Sequence, residues 1–340
     1  MALTASALAA GFATTSAGSA AATASVPTSV AADTRAPVSA CSGMRCPVNG
    51  GGGSGDGTIY ARVITVTVTG GTGHGGSGGA GGGSTVVAPS CGYFEFDTGT
   101  QMKAYLKQIE KSGWTAYQNA VPGPAEIAKH AKDGTGHWFY AGCTQSPDGL
   151  PESLQEQWVN TTGAYIRAHW NTDFWRFAEP GQEPRPAQPP DMLSILAYQA
   201  ATKNIPQPVA HAAPVGQTLT DLPTWAWLDQ GDTNAVEATA TDGVTTVVVT
   251  ATMNSLSIRG PGSATVNAAC TGGGHPYSAG GSTDCSITFH QVTPAASFTV
   301  ATDWGITVTG GQLEGTPAIK RVSAPVILAV AQTQAVATGS

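Results

Sequence analysis

The sequence predicts a β-rich α+β protein that ends in a small antiparallel β-sandwich, and three observations support this. Only 11% of the 340 residues are charged, which is about half the usual share. Glycine, alanine, threonine, serine and proline take their place, and this composition favours short strands and turns over long surface helices. A two-residue hydrophobic period dominates from Leu222 onward, whereas a clear helical period lies upstream, at Met102 to Ile109.

Length and charge limit the classes of partner. A chain of this length with 41% apolar residues has room for about two domains with their own cores. The net charge of −7 argues against nucleic acid or an anionic membrane surface, because both attract clustered lysine and arginine. We therefore expect no nucleic-acid partner.

Residues 1–35 are interpreted as a signal or leader segment. They are rich in alanine, serine and threonine, and they contain a weakly apolar stretch from Leu3 to Ala13 followed by small-residue cleavage sites. A secretory signal also needs a basic start, but the first basic residue is Arg35. Two interpretations stay open: a true start upstream of Met1, or a disordered leader. No other stretch has the roughly 18 uninterrupted apolar residues of a membrane span.

Residues 36–90 are interpreted as a Gly-rich, low-complexity linker with one strand. Glycine runs are expected to stay disordered, because glycine loses the most conformational entropy on ordering. Between the runs, Thr58 to Thr69 alternates and is β-branched throughout its second half. The side with Ile64, Val66 and Val68 is expected to pair with a later domain, because an isolated strand would be an aggregation hazard.

Residues 91–205 are expected to form a small α+β module. A capping-box spacing from Thr98 to Gln101 precedes the helical period noted above. Shorter helical patterns start at Pro124 and after Asp191. The proline-rich run at 180–190 predicts an extended linker between helices.

Residues 215–336 predict the antiparallel sandwich, with about seven strands. From Phe298 to Thr309 the residues alternate, which predicts one face buried in the core and the other exposed to solvent. Two shorter stretches, Val247 to Met253 and Cys285 to Phe289, alternate in the same way. Glycine-rich turn signals separate these stretches, which is typical of a small sandwich.

Six cysteines in a chain with export features predict three disulfide bridges. Local spacing favours near partners. The last pair is expected to be hairpin neighbours, since one cysteine ends a strand and the other begins the next. The predicted bridges are Cys41 with Cys46, Cys91 with Cys143, and Cys270 with Cys285.

Four stretches resemble a group of secreted actinobacterial proteins of unknown function. They are GHWFYAGC at 136–143, PPDMLSILA at 189–197, LPTWAWLD at 222–229, and the HPY and STDCSITF segments within 270–289. The carboxyl-terminal part of that family is similar to a PKD-type, immunoglobulin-like sandwich, and the likeness covers about 91–335. This chain has SIRGPG at 257–262, where PKD-like domains usually carry an acidic Gly-Asp-Gly turn. The resemblance implies a sandwich fold and an extracellular or cell-envelope location.

Two glycine-rich strings have the letters of known motifs. Gly71 to Gly76 reads GxGxxG, and Gly75 to Gly79 reads GxSxG. A dinucleotide site and a nucleophile elbow both need a helix directly after the turn, but glycine continues to Gly83. We expect a flexible linker and no cofactor.

Histidine, cysteine and aspartate spacings predict no metal site. His130 and His137 lie on either side of a predicted helix break. Asp229, Asp232 and Asn234 have oxygen ligands suited to calcium, but the rest of a defined loop is missing.

Glu95 and His137 are weak candidates for chemistry, and the sequence assigns no catalytic residue. A carboxylate whose pKa is raised by burial acts as a general acid, and His137 is a candidate to shape a pocket beside it. The two-residue period instead places Glu95, Asp97 and Tyr93 on one solvent face. Packing is the favoured role for His137.

Trp225 and Trp227 are weak candidates for binding. They are two residues apart, so on a strand they point to the same side. An exposed pair would form a stacking platform for a sugar or peptide. A buried pair would form the seam between the sandwich and the α+β module, which is the favoured interpretation.

These patterns leave three hypotheses of function. The leading one is a secreted or cell-wall-associated, non-enzymatic protein for adhesion, assembly or presentation, with an unknown protein or cell-wall glycan as partner. The rival is a secreted hydrolase with its site in residues 91–200. The third is a glycan- or peptide-binding module that uses the tryptophan pair.

Overall fold

The computed structural model describes residues 59–71, 83–111, 122–170, 172–268, 270, 272–316 and 318–333. The predicted leader, the predicted disorder directly after it and the predicted Cys41–Cys46 bridge all concern residues outside these ranges. The described part is strand-rich and has four α-helices, as the β-rich α+β prediction requires.

The first half of the described chain alternates short strands with all four helices. In chain order these are β1 (Ile59–Tyr60), β2 (Ile64–Gly70), β3 (Gly83–Val87), β4 (Cys91–Thr98), α1 (Gly99–Lys111), α2 (Pro124–His130), β5 (His137–Cys143), α3 (Glu152–Trp170), β6 (Trp175–Ala178) and α4 (Pro190–Lys203).

A four-stranded antiparallel sheet, in the order β1-β4-β5-β6, forms the centre of this half. One face packs on α1 and α2, where Met102 and Ile127 contact Trp138. The other face carries Tyr93 and Phe139 and packs on α3. The sheet is therefore covered on both sides, which explains why its strands are aromatic on both faces.

Helix α1 begins where the sequence predicts it. The backbone N–H of Thr98 donates to Oε1 of Gln101 at 3.0 Å, and the N–H of Gln101 donates to Oγ1 of Thr98 at 3.4 Å. This reciprocal pair is the predicted capping box. The helices predicted from Pro124 and after Asp191 are also present, as α2 and α4.

Among the helices, α3 is the one that the sequence patterns miss, although it has 19 residues. Its buried side includes a glutamine, Gln157, and a glycine, Gly163, beside Leu154 and Trp158. A helix whose buried stripe is partly polar shows little hydrophobic periodicity. Gln157 is buried because it bonds to the backbone of Gln312 and Glu314.

The second half consists almost entirely of strands. They are β7 (Ala210–Ala213), β8 (Gln217–Leu219), β9 (Pro223–Leu228), β10 (Val236–Thr241), β11 (Thr246–Arg259), β12 (Ala264–Ala268), β13 (Cys285–Phe289), β14 (Thr293–Thr309), β15 (Ile319–Val322) and β16 (Val326–Ala331), with a 3-10 turn at Gln230–Thr233.

Two sheets pack face to face in this half. One has the order β3-β2-β10-β11-β14-β16-β8, with β15 also paired to β14, and the other has the order β12-β13-β9-β7. Their shared core contains Ile287 and Phe289 from the smaller sheet and Phe298 and Val300 from the larger one. The predicted core face of β14 is confirmed, since these side chains and Trp304 are buried.

Strand β2 joins the larger sheet, as the sequence predicts. It pairs antiparallel with β10, and Ile64 and Val66 are buried under α4, while Val68 is partly buried. The expectation of one strand in 36–90 is wrong, because the predicted stretch from Thr58 to Thr69 is divided between β1 and β2, and β3 also forms. Strand β3 has few apolar residues and forms by pairing with β2.

Helix α4 connects the two halves. It packs on β2, β10 and β11, and one core cluster includes Met192 and Leu193 of the helix together with Val247 and Val249 of β11. A domain boundary between 205 and 215 stays a prediction.

Two disulfides are present with the predicted partners. Cys91 and Cys143 lie directly opposite each other on β4 and β5 and are bridged. Cys270 follows β12 and is bridged to Cys285, the first residue of β13. Both bridges therefore join neighbouring strands, which supports the near-partner argument.

Candidate functional site

The pairing of β4 with β5 brings the two weak candidates for chemistry together. On β4 and β5, Glu95 lies opposite Phe139 and Thr98 lies opposite His137, so the β4 side has one extra residue. His137 is two residues from Phe139 on β5, so Glu95 and His137 lie on the same face of the sheet. They are 42 residues apart in the chain.

The two side chains are hydrogen-bonded to each other. Nδ1 of His137 contacts Oε1 of Glu95, and the Tyr60 hydroxyl donates to Oε2 of Glu95 at 2.7 Å. A carboxylate only accepts, so Nδ1 carries a proton and Nε2 is the basic nitrogen of a neutral imidazole. Glu95 thus orients the histidine ring, and Tyr60 fixes the carboxylate.

These groups border a cavity of about 150 Å³, which is the size of a cavity that holds one small aromatic ring. The proline-rich segment supplies two further carboxylates, from Glu179 and Glu183. The sequence showed no second carboxylate opposite Glu95, because only the fold brings that segment over the sheet. The lining residues are Tyr60, Glu95, Thr135, His137, Phe139, Ala178, Glu179, Pro180 and Glu183.

The prediction that Tyr93, Glu95 and Asp97 share a solvent-exposed face of β4 is wrong. Tyr93 and Asp97 are 1% and 2% exposed, whereas Glu95 is partly buried. The cause is the bulge, which interrupts the two-residue period, together with α3, which covers the face that carries Tyr93.

A second polar cluster lies at the end of α3. The Tyr93 hydroxyl donates to the backbone oxygen of Asp173 at 2.8 Å, and Nδ1 of His169 bonds to Oδ1 of Asp173 at 2.5 Å. Burial raises the pKa of Tyr93 well above its usual range. Burial alone would also raise the pKa of Asp173, but hydrogen bonds from His169 and Arg176 hold it well below its usual range. This cluster fastens α3 to β6.

The tryptophan pair does not form the predicted seam. Trp225 is 8% exposed and meets the ring of Tyr277 edge-on at 5.2 Å. Trp227 is stacked on His211 at 5.6 Å. These ring neighbours belong to the strand-rich half, because Tyr277 lies in the loop before β13 and His211 lies on β7.

A larger concave surface is one that the sequence does not indicate. It is a groove of about 590 Å³ between α4, β15 and the paired strands β2 and β3, within the usual range for ligand sites. Its floor is mostly apolar, and its charged residues are Lys203 and Arg321. The residues that line this groove are Val66, Thr85, Val87, Gly149, Leu150, Pro151, Leu196, Tyr198, Gln199, Ala200, Thr202, Lys203, Ile319 and Arg321.

Metal ligands do not converge anywhere in the described residues, where no group of three or more His, Cys, Asp or Glu side chains is placed to hold a metal ion. In the loop considered for calcium, Asp232 is buried and accepts the backbone N–H of Val209 at 2.7 Å. Of the GxGxxG string, only Gly71 lies within the described residues. None of the described helices is long and apolar enough to cross a membrane.

Comparison of the chain with protein-family models, with curated proteins and with solved structures found no match.

Proposed function

We propose that this chain is an exported binding module of the cell envelope or extracellular space, which serves adhesion, assembly or presentation by holding a partner in the groove between α4 and β15. The groove is the observation that carries the proposal. The two disulfides and the leader-like start of the sequence support an oxidising location. The face-to-face sheets and the family resemblance support a PKD-type, immunoglobulin-like sandwich as its second half.

Two positively charged side chains determine which charge a ligand of the groove should carry. Arg321 is fixed by its bond to the backbone oxygen of Thr202 at 2.7 Å, which uses one of the five N–H donors of a guanidinium. Lys203 is exposed at the end of α4, beside the same groove. The apolar floor favours apolar side chains, and the cations favour a carboxylate. The partner is thus a protein segment with apolar residues beside an acidic one.

A comparative pull-down from culture supernatant and cell wall tests this proposal. The baits are the mature protein, Arg321→Glu and Lys320→Glu. Lys320 is the matched control, because it neighbours Arg321 on β15 but pairs with Asp303 at 3.7 Å. We expect a protein that the wild type and Lys320→Glu retain and that Arg321→Glu loses. Equal retention by all three baits would contradict a role for the groove.

A secreted hydrolase is the second candidate, because one specific observation favours it. Glu95 orients His137 at a cavity that also holds the carboxylates of Glu179 and Glu183. An imidazole held by one carboxylate beside further carboxylates is suited to general acid–base catalysis of hydrolysis.

The hydrolase is tested by screening wall polymers and peptides as substrates. Glu95→Gln and His137→Gln should each lower the turnover by about 100-fold or more, which is the usual contribution of a general acid or base. Glu126→Gln is the matched control, because Glu126 also pairs with a histidine, His130, but on the exposed surface of α2. Turnover that survives both cavity substitutions would exclude this site.

A further inference from the structure

Three side chains from separate segments form a continuous hydrogen-bonded chain beside the smaller sheet. Oγ1 of Thr265, on β12, lies 2.8 Å from Nε2 of His290. Nδ1 of the same ring lies 2.6 Å from Oδ1 of Asp221. None of these residues was a candidate from the sequence, because 25 residues separate Thr265 from His290 and 69 separate Asp221 from His290.

The chemistry of the bonded atoms determines which group is the donor in each of the two hydrogen bonds. The carboxylate of Asp221 only accepts, so Nδ1 of His290 is its donor. In a neutral imidazole the other nitrogen is then an acceptor, and Nε2 accepts the hydroxyl proton of Thr265. A hydroxyl held by Nε2, with a carboxylate on Nδ1, is the arrangement by which a histidine activates a nucleophile, and it is recognised by geometry and not by sequence order.

Asp221 is held in place by its backbone. Its φ is +63°, and among the described residues it is the one non-glycine residue with a positive φ. Its N–H donates to the backbone oxygen of Phe289 at 2.8 Å, directly before His290. Aspartate is among the non-glycine residues that adopt this backbone region most often, and here the backbone sets the position of the carboxylate beside His290.

We propose that Thr265, His290 and Asp221 form a surface acyl-transfer site, in which the Thr265 hydroxyl takes the acyl group of a small, activated carboxylic ester. This activity goes beyond the proposed binding function and lies on a different sheet. All three side chains are exposed, so a small ester reaches them directly.

The reaction is balanced by one proton that moves through His290. Oγ1 of Thr265 bonds to the ester carbonyl carbon, and its proton passes to Nε2. When the ester C–O bond breaks, the leaving alcohol takes that proton, and an acyl-threonine remains. Water then attacks the acyl carbon, gives a proton to Nε2, and the carboxylic acid leaves as Thr265 regains the proton. Asp221 stays ionised and stabilises the imidazolium.

Acetylation by 4-nitrophenyl acetate tests the proposal on the full chain. We expect release of nitrophenolate and an acetyl group that peptide mapping places on Thr265. Thr265→Val should abolish this adduct, and His290→Gln should slow its formation by about 100-fold or more, as expected for loss of a general base. Thr265→Ser should keep the reaction, since it keeps the hydroxyl.

Two variants distinguish a loss of the acetylation reaction from a loss of folding stability. Asp221→Asn removes the charge, while asparagine tolerates the left-handed backbone, so it should slow acetylation about tenfold or more without a change in melting temperature. Thr252→Val removes an exposed threonine of β11 and should change nothing. Wild-type protein without an adduct on Thr265, or an equal rate in His290→Gln, would overturn the proposal.

Discussion

Gln188 holds Cys91 through both ends of its side-chain amide. Oε1 of Gln188 accepts the backbone N–H of Cys91 at 3.0 Å, and Nε2 donates to the backbone oxygen of Cys91 at 2.7 Å. Oε1 also accepts the N–H of Ser90, and the glutamine is 2% exposed. The end of the proline-rich run is therefore fastened to β4 and does not act as a loose linker.

Gln188→Ala should lower the free energy of unfolding by about 3 kcal/mol, because it leaves buried backbone groups at Ser90 and Cys91 without partners. Urea unfolding measures the change. Gln182→Ala is the control, since Gln182 is an exposed glutamine of the same segment and should change stability by less than about 0.5 kcal/mol. Equal effects would show that the amide is not what fastens the segment.

Asp242→Asn should destabilise the protein at neutral pH. Burial raises the pKa of Asp242, but backbone hydrogen bonds from Thr245, Gln188 and Val244 outweigh it and lower the pKa. An asparagine NH₂ cannot accept the N–H of Gln188, which lies 2.6 Å from Oδ2. We expect a loss of about 1–3 kcal/mol at pH 7 by urea unfolding.

The pH dependence of this loss has a definite sign. A carboxyl whose folded pKa is lowered contributes stability that is complete above its unfolded pKa, about 3.9, and that disappears as the pH falls toward the folded pKa. The difference between wild type and Asp242→Asn should therefore shrink below about pH 4. Asp148→Asn, at an exposed aspartate, serves as the control, and a pH-independent difference would refute the linkage.

Removal of the Cys270–Cys285 bridge by two serine substitutions should lower the melting temperature by at least several degrees. The bridge closes a separation of 15 residues, for which the chain-entropy model gives about 3 kcal/mol. The sequence predicts almost no effect for the same change at Cys41 and Cys46. Non-reducing peptide mapping of secreted protein checks the bridge. Free thiols at Cys270 and Cys285 would contradict both the bridge and the argument for an oxidising compartment.

Gly92→Ala should destabilise the sheet beneath the Glu95 cavity. A Cβ at Gly92 would lie 2.4 Å from the backbone oxygen of Tyr60, so β1 must move away from β4 and the Tyr60–Glu95 bond must weaken. Overpacking of this kind costs about 1–3 kcal/mol, measurable by urea unfolding. Gly134→Ala is the control, because nothing lies within 4 Å of its added Cβ. A stability change of equal size at Gly134 would remove the steric explanation.

The sequence by itself determined the features that depend on neighbours along the chain. The capping box at Thr98 and the alternation from Phe298 are local patterns, and each specifies an element wherever its partners lie. The pairing of Cys270 with Cys285 was also predictable, because the two cysteines lie at the ends of one Gly-rich connection between adjacent strands.

Only the tertiary structure decided which distant groups meet. The position of Glu95 beside His137 depends on the register between β4 and β5, and a one-residue shift reverses the face of every side chain. The hydrogen-bonded chain through Thr265, His290 and Asp221 needs three separate segments to converge. Helix α3 shows the same limit, because its buried Gln157 is stabilised by backbone partners more than 150 residues away, and no local pattern encodes such partners.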